Sequence, residues 1–191
     1  MAERPQEMSV EDYLALDGGS ELRHEYLNGV VVAMAGASPR HNVIVPNLVS
    51  ILKAALGDGP CIVFDSGQRV QISETRSYLY PDGVVTCDSP TFTNDRPRSL
   101  TNPRFVLEVM SKSTRSHDHG AKLSHYRRLP TVREVLLVDS QSPHAMLYRR
   151  LESDEWLLRD FVGGEIALAS LDVTIPFAEI YAKTDGLPLD D

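Results

Sequence analysis

Two carboxylates and one lysine stand in settings that favour chemistry over scaffolding. Asp82 follows Pro81 and precedes the apolar pair Val84-Val85. A carboxylate at the mouth of a buried strand is costly unless it is paired or holds a cation. Glu108 lies inside the run Phe105-Val106-Leu107-Glu108-Val109-Met110, where a strand buried on both sides calls for apolar residues. Period-two alternation puts Phe105, Leu107 and Val109 on one face, and Val106, Glu108 and Met110 on the other. Carboxylates on neighbouring strands make an oxygen-rich pocket suited to Mg²⁺, with Mn²⁺ as a substitute. Asp118, Lys122 and Tyr126 recur every four residues and so share one helix face, which can aim Lys122 at that pocket. Each residue also has a plainer role to weigh: turn capping for Asp82, a structural ion pair for Glu108, a solvated helix position for Lys122.

The elements that must position these groups read as follows. Ser9 and Asp12 form a capping-box start for a helix over about 10–16, which Gly18-Gly19 ends. Asn28-Gly29 is a hairpin signal before a strand at 30–34. Val45, Leu48, Val49, Leu52 and Leu56 mark a long helix over 41–56, with Pro46 tolerated only near its start. Strand-like runs occupy 61–64, 68–72 and 84–87. A proline-bearing loop spans 89–103, and 105–110 is the strand with Glu108. A helix over 119–129 stops at Pro130, and strands follow at 134–139, 145–150 and 156–161. A strand and a short helix starting at Pro176 close the chain. This order specifies an α/β (mixed α+β) class with a central mixed β-sheet flanked by helices. The 191 residues fit one domain with a core over about 8–181 and short flexible termini.

The net charge of −8 argues against a protein that coats DNA indiscriminately. Yet the stretch 96–133 holds nine Lys or Arg against Glu108 and Asp118, a local +7. Such a strip can hold a phosphate backbone, or be solvated surface. Its members Arg104, Lys112, Arg115, Arg127 and Arg128 are the candidate nucleic-acid contacts. Cys61 and Cys87 cannot make a four-ligand zinc cluster and read as two small buried thiols. His117, His119 and His125 read as loop-surface residues, and His41 as the start of the long helix in preference to a substrate contact. No signal peptide or membrane-length apolar run is visible, so a soluble cytoplasmic protein with no membrane association is expected. Nucleophile-elbow and phosphate-loop motifs are absent.

The ordered series Ser9-Val10-Glu11-Asp12-Tyr13, Arg23-His24-Glu25-Tyr26-Leu27-Asn28-Gly29, Ser38-Pro39-Arg40-His41-Asn42, Tyr80-Pro81-Asp82, Leu107-Glu108-Val109-Met110-Ser111, Asp118, Lys122 and Tyr126-Arg127-Arg128-Leu129-Pro130 resembles the PD-(D/E)XK nuclease superfamily. It is most similar to the bacterial branch described as restriction endonucleases, over nearly the whole chain. The resemblance implies a restriction-endonuclease-like core and Mg²⁺-dependent hydrolysis of DNA. It makes Asp82 and Glu108 the metal ligands and adds Glu25 as a further acidic site residue, although Glu25 and His24 could equally be ordinary hairpin residues. Where the superfamily places lysine two residues after the glutamate, this chain has Met110, so the site lysine moves to Lys122, with Lys112 as rival. A homodimer is expected, since cutting two strands needs two sites. The alternative is a catalytically silent nucleic-acid-binding or assembly module on the same fold.

Overall fold

Ser9 caps the first helix as the sequence requires: its Oγ accepts from the Asp12 amide at 3.1 Å and donates to the Asp12 carboxylate at 2.8 Å. The computed structural model describes residues 7–34, 36–111 and 118–189. Helix α1 (Val10–Gly19) runs beyond the expected stop at Gly18. A Cβ at Gly18 would lie 2.9 Å from the Arg96 carbonyl oxygen, so glycine here serves the close approach of the 89–103 loop.

Strands β1 (His24–Leu27) and β2 (Val30–Ala33) form the signalled hairpin. Asn28 and Gly29 both take positive φ, 49° and 91°, the backbone a two-residue turn of this kind demands. Helix α2 (His41–Leu56) starts at His41 and carries Pro46 in its second turn, later than expected. Strands β3 (Ile62–Asp65), β4 (Val70–Ile72), β5 (Ser77–Leu79) and β6 (Gly83–Thr86) follow. The short β5 lies between the runs recognised from the sequence. Strand β7 (Phe105–Met110), helix α3 (Asp118–Tyr126), β8 (Glu134–Asp139), β9 (Ala145–Arg150) and β10 (Trp156–Phe161) come next. A hairpin of β11 (Glu165–Leu168) and β12 (Val173–Pro176) precedes α4 (Phe177–Ile180).

The main sheet has the order β10-β9-β8-β7-β6-β3, and a smaller one the order β2-β1-β5-β4. In the main sheet β7 and β8 run parallel while its other pairs are antiparallel. The β7–β8 crossover contains α3, as a parallel pair requires. The alternation read from β7 holds. Phe105, Leu107 and Val109 pack with Ile44, Leu48 and Leu52 of α2, whereas Val106 and Met110 pack with Leu123, Tyr126 and Leu129 around α3. Each fully buried leucine of this kind contributes about 2 kcal/mol. Glu108 thereby faces α3.

Arg69 fastens the smaller sheet to α1 and to the 89–103 loop. It is 1% exposed. Its guanidinium meets Asp17 at 2.8 Å, Asp95 at 3.0 Å, the Ser99 hydroxyl at 2.7 Å and the Pro97 carbonyl. It also lies over the rings of Tyr13 and Tyr78. Asp17 accepts in addition from the Tyr80 hydroxyl and the His24 amide.

The cysteines depart from the sequence expectation of separate thiols. Cys61 and Cys87 are joined in a disulfide, with their Cα atoms 3.8 Å apart. The β3–β6 register pairs Ile62 with Thr86, and one step further it sets the two cysteines face to face. Among the described residues no helix is long and apolar enough to cross a membrane.

Candidate active site

Asp82 sits immediately before β6. Because that strand pairs Gly83 with Leu107, continuing the register by one residue puts Asp82 opposite Glu108. The Val109 amide donates to Asp82 Oδ2 at 2.7 Å, and His41 Nε2 lies 3.1 Å from Oδ1. The first residue of α2 and the central strand thus hold the two oxygens of one carboxylate. Glu25 comes from β1, in the smaller sheet. Its Oε1 accepts from the Tyr80 amide at 3.0 Å and meets Lys122 Nζ at 2.9 Å. Lys122 also reaches Glu108 Oε1 at 3.6 Å, and the Tyr126 hydroxyl donates to that oxygen at 2.6 Å. Lys122 and Tyr126 stand one turn apart on α3, as their spacing requires. The structure therefore brings Glu25, Asp82, Glu108 and Lys122 together from two sheets and a helix.

Among the described residues, three carboxylates share this pocket with the Lys122 ammonium, and their residues are only 5%, 8% and 9% exposed for Glu25, Asp82 and Glu108. Burial pushes the Glu108 carboxyl up to about 8; Lys122 opposes the rise, and the negative charges of Asp82 and Glu25 add to it. Burial alone would lower the Lys122 ammonium, but Glu108 and Glu25 more than reverse that and hold it charged. Burial, then Glu108, keep the Tyr126 hydroxyl protonated far above its ordinary range, so it serves as a donor.

The excess of negative charge is the condition a divalent cation would relieve. Among the described residues no three His, Cys, Asp or Glu side chains close on a common point. The residues fit an ion that takes one or two carboxylates and completes its shell with water and phosphate oxygens, which is the habit of Mg²⁺. Asp82 and Glu108 are the pair available for that.

The candidate phosphate contacts are less concentrated. Arg104 precedes β7, at the far end of that strand from Glu108, and its Nε donates to the Ser170 carbonyl at 2.9 Å. Arg127 lies over the Trp156 ring, 5.3 Å from its centroid, and Arg128 pairs with Glu74 at 2.7 Å. Lys112 and Arg115 lie outside the described residues, as do His117 and the side chains of Asp118 and His119. His125 is buried, not a loop-surface residue. Its Nδ1 lies 2.8 Å from Thr75 Oγ1, and this contact ties α3 to the segment between β4 and β5. Burial, then Arg128, hold its pKa below the usual imidazole value.

Sequence reasoning did not assign His41 or Tyr126 to the site. Tyr126 was visible as the residue one turn after Lys122. His41 carried a weaker signal, its place in the Ser38–Asn42 segment of the resemblance, because a helix start explains a histidine there equally well.

Comparison with known proteins bears on the fold and the family. A solved structure from Anabaena variabilis, described as a putative nuclease belonging to DUF820, superposes with a TM-score of 0.70 over 92% of this chain and 98% of its own, at 16% identity. The fold is shared at that distance. Two Synechocystis sp. proteins are similar in sequence. For sll1609 the identity is 32%, covering 82% of this chain and 88% of the relative. For slr1290 it is 33%, covering 91% of each. The Uma2 model, described as "Putative restriction endonuclease", matches residues 10–177, and the chain belongs to that family.

Proposed function

We propose that this chain is a Mg²⁺-dependent endonuclease of PD-(D/E)XK type that hydrolyses DNA phosphodiester bonds at the Glu25, Asp82, Glu108 and Lys122 centre. The observation that carries the reading is Lys122 set 2.9 Å from Glu25 and 3.6 Å from Glu108 inside a buried carboxylate pocket. Among the described residues, Lys122 stands against the buried acids Glu25 and Glu108 with Asp82 beside them, a concentration of acid that a bound cation would relieve. Family membership and the shared fold support the same reading.

Asp82 and Glu108 would hold the metal, which when bound supplies Lewis acidity and lowers the pKa of coordinated water. Asp82 is presented by the Val109 amide and His41, so its orientation is set before substrate arrives. Lys122, kept charged by its neighbours, orients the attacking water or stabilises charge developing on the phosphate. Glu25 fixes Lys122 and is itself fixed by the Tyr80 amide. Arg127, Arg128, Arg104, Lys112 and Arg115 are proposed to take neighbouring phosphates. A homodimer would bring two such centres to the two strands of a duplex.

The test is cleavage of supercoiled plasmid by the purified chain with Mg²⁺ or Mn²⁺. Nicking or linearisation that EDTA and Asp82→Ala both abolish is the expected result. A folded protein that binds DNA without cutting it under either metal would replace this reading with a silent binding module.

A further inference from the structure

A groove of about 400 Å³ lies between α2 and the turn that follows β3. Arg23, Val45, Pro46, Val49, Lys53 and Asp65 line it. We propose that this groove is a binding track for one nucleic-acid strand, receiving the phosphates that flank the scissile bond, with Arg23 and Lys53 as its contacts. The inference rests on the nuclease reading above and extends it to residues outside the catalytic pocket and outside the basic strip.

Three observations carry it. First, both walls of the groove lead back along the chain to residues of the site. His41, which touches Asp82, is followed down the same side of α2 by Val45, Val49 and Lys53 at intervals of four residues. On the opposite wall Arg23 stands two residues before Glu25, and its guanidinium lies 5.6 Å from the centroid of the Tyr80 ring. Second, the charge suits a polyanion. Arg23 and Lys53 are exposed, and among the described residues neither forms an ion pair. The Asp65 carboxylate is turned into its own loop, where Oδ1 accepts from the Gly67 amide at 2.9 Å. In a chain of net charge −8, Arg23 and Lys53 against Asp65 leave the groove lining with a surplus of positive charge, a local attractor. Third, Arg23 is pre-set, donating Nη1 to the Ser66 carbonyl at 2.9 Å. It can therefore receive a phosphate with less loss of side-chain freedom. The apolar floor of Val45, Pro46 and Val49 suits sugar and base faces.

The dimensions give the track a length. Twelve residues of helix at about 1.5 Å each put Lys53 about 18 Å from His41. One B-form strand carries a phosphate about every 3.4 Å along the axis, so Lys53 would meet a phosphate about five nucleotides from the cut.

The experiment compares wild type, Lys53→Ala, Lys53→Glu and Arg23→Ala/Lys53→Ala, with circular dichroism and a thermal melt as folding controls. Binding to a fluorescent 30-bp duplex in EDTA is measured from 50 to 200 mM salt, and cleavage kinetics are taken with Mg²⁺. Lys53→Ala should lower the slope of log affinity against log salt by about 0.9. Wild-type affinity should then fall about threefold more than that of the variant across this salt range. KM should rise with kcat unchanged, Lys53→Glu should exceed Lys53→Ala, and the Lys53 effect should vanish on duplexes ending fewer than about five nucleotides from the cut. An active wild type whose salt slope and KM do not move in any variant would overturn the track and leave the nuclease reading intact. A folded wild type that neither binds nor cuts DNA would overturn both.

Discussion

Replacing Glu108 by glutamine should make the metal-free protein more stable while abolishing catalysis. Glu108 ionises near 8 in the folded chain against 4.5 for an ordinary glutamate, chiefly because it is buried. Between those two values the folded protein keeps a proton that the unfolded chain has released. Stability is therefore highest at the acid end of that window and declines as pH rises through it, by about 1.4 kcal/mol per unit. By pH 7 the wild type has lost about 3 kcal/mol on this account, whereas glutamine cannot ionise and loses nothing. The amide oxygen still accepts from the Tyr126 hydroxyl that now bonds Oε1 at 2.6 Å, so the local packing survives. For a chain of this size the gain corresponds to roughly 6–12 °C in Tm. The assay is thermal unfolding of both proteins in EDTA at pH 5 and pH 7. The variant should lead clearly at pH 7 and little at pH 5, and Mg²⁺ should raise the wild type alone. Equal melting temperatures at pH 7, or a gain of the same size at both pH values, would refute the reasoning.

Lys122→Met removes the ammonium that faces Glu25 and Glu108 and should cost about 3–5 kcal/mol in chemical denaturation, with part recovered by adding Glu25→Gln. Arg69→Met leaves Asp17 buried and unpaired, and denaturation should register a loss of about 3–5 kcal/mol; no loss would mean that Asp17 is held by Tyr80 and the His24 amide alone. The Cys61–Cys87 bond closes a separation of 26 residues, so Cys61→Ser/Cys87→Ser should unfold about 3 kcal/mol more easily, read from the denaturant midpoint.

Much of this site was legible because helix and strand periods leave marks in the chain. A glutamate out of place in an apolar run, and a lysine and tyrosine four residues apart, mark β7 and the face of α3 that turns toward Glu108. Local chemistry marked the Ser9 cap and the Asn28-Gly29 turn for the same reason. What escaped depends on register and on contacts far apart in sequence. The disulfide needs Ile62 opposite Thr86, a pairing that neither strand encodes alone. The His41 contact with Asp82 spans 41 positions and depends on how α2 lies across the sheet. The strands β5 and β11 are three and four residues long and offered too little alternation to separate from turns.

The Val109 amide that holds Asp82 belongs to a strand every residue of which is buried. Amides in such strands exchange with solvent hydrogen only when the whole molecule opens, while frayed edges exchange within minutes. The donor that orients Asp82 therefore stays in place for as long as the central strand itself holds. What freedom the acidic centre has then lies in rotation of its side chains, because the backbone donor beneath Asp82 moves only with the sheet.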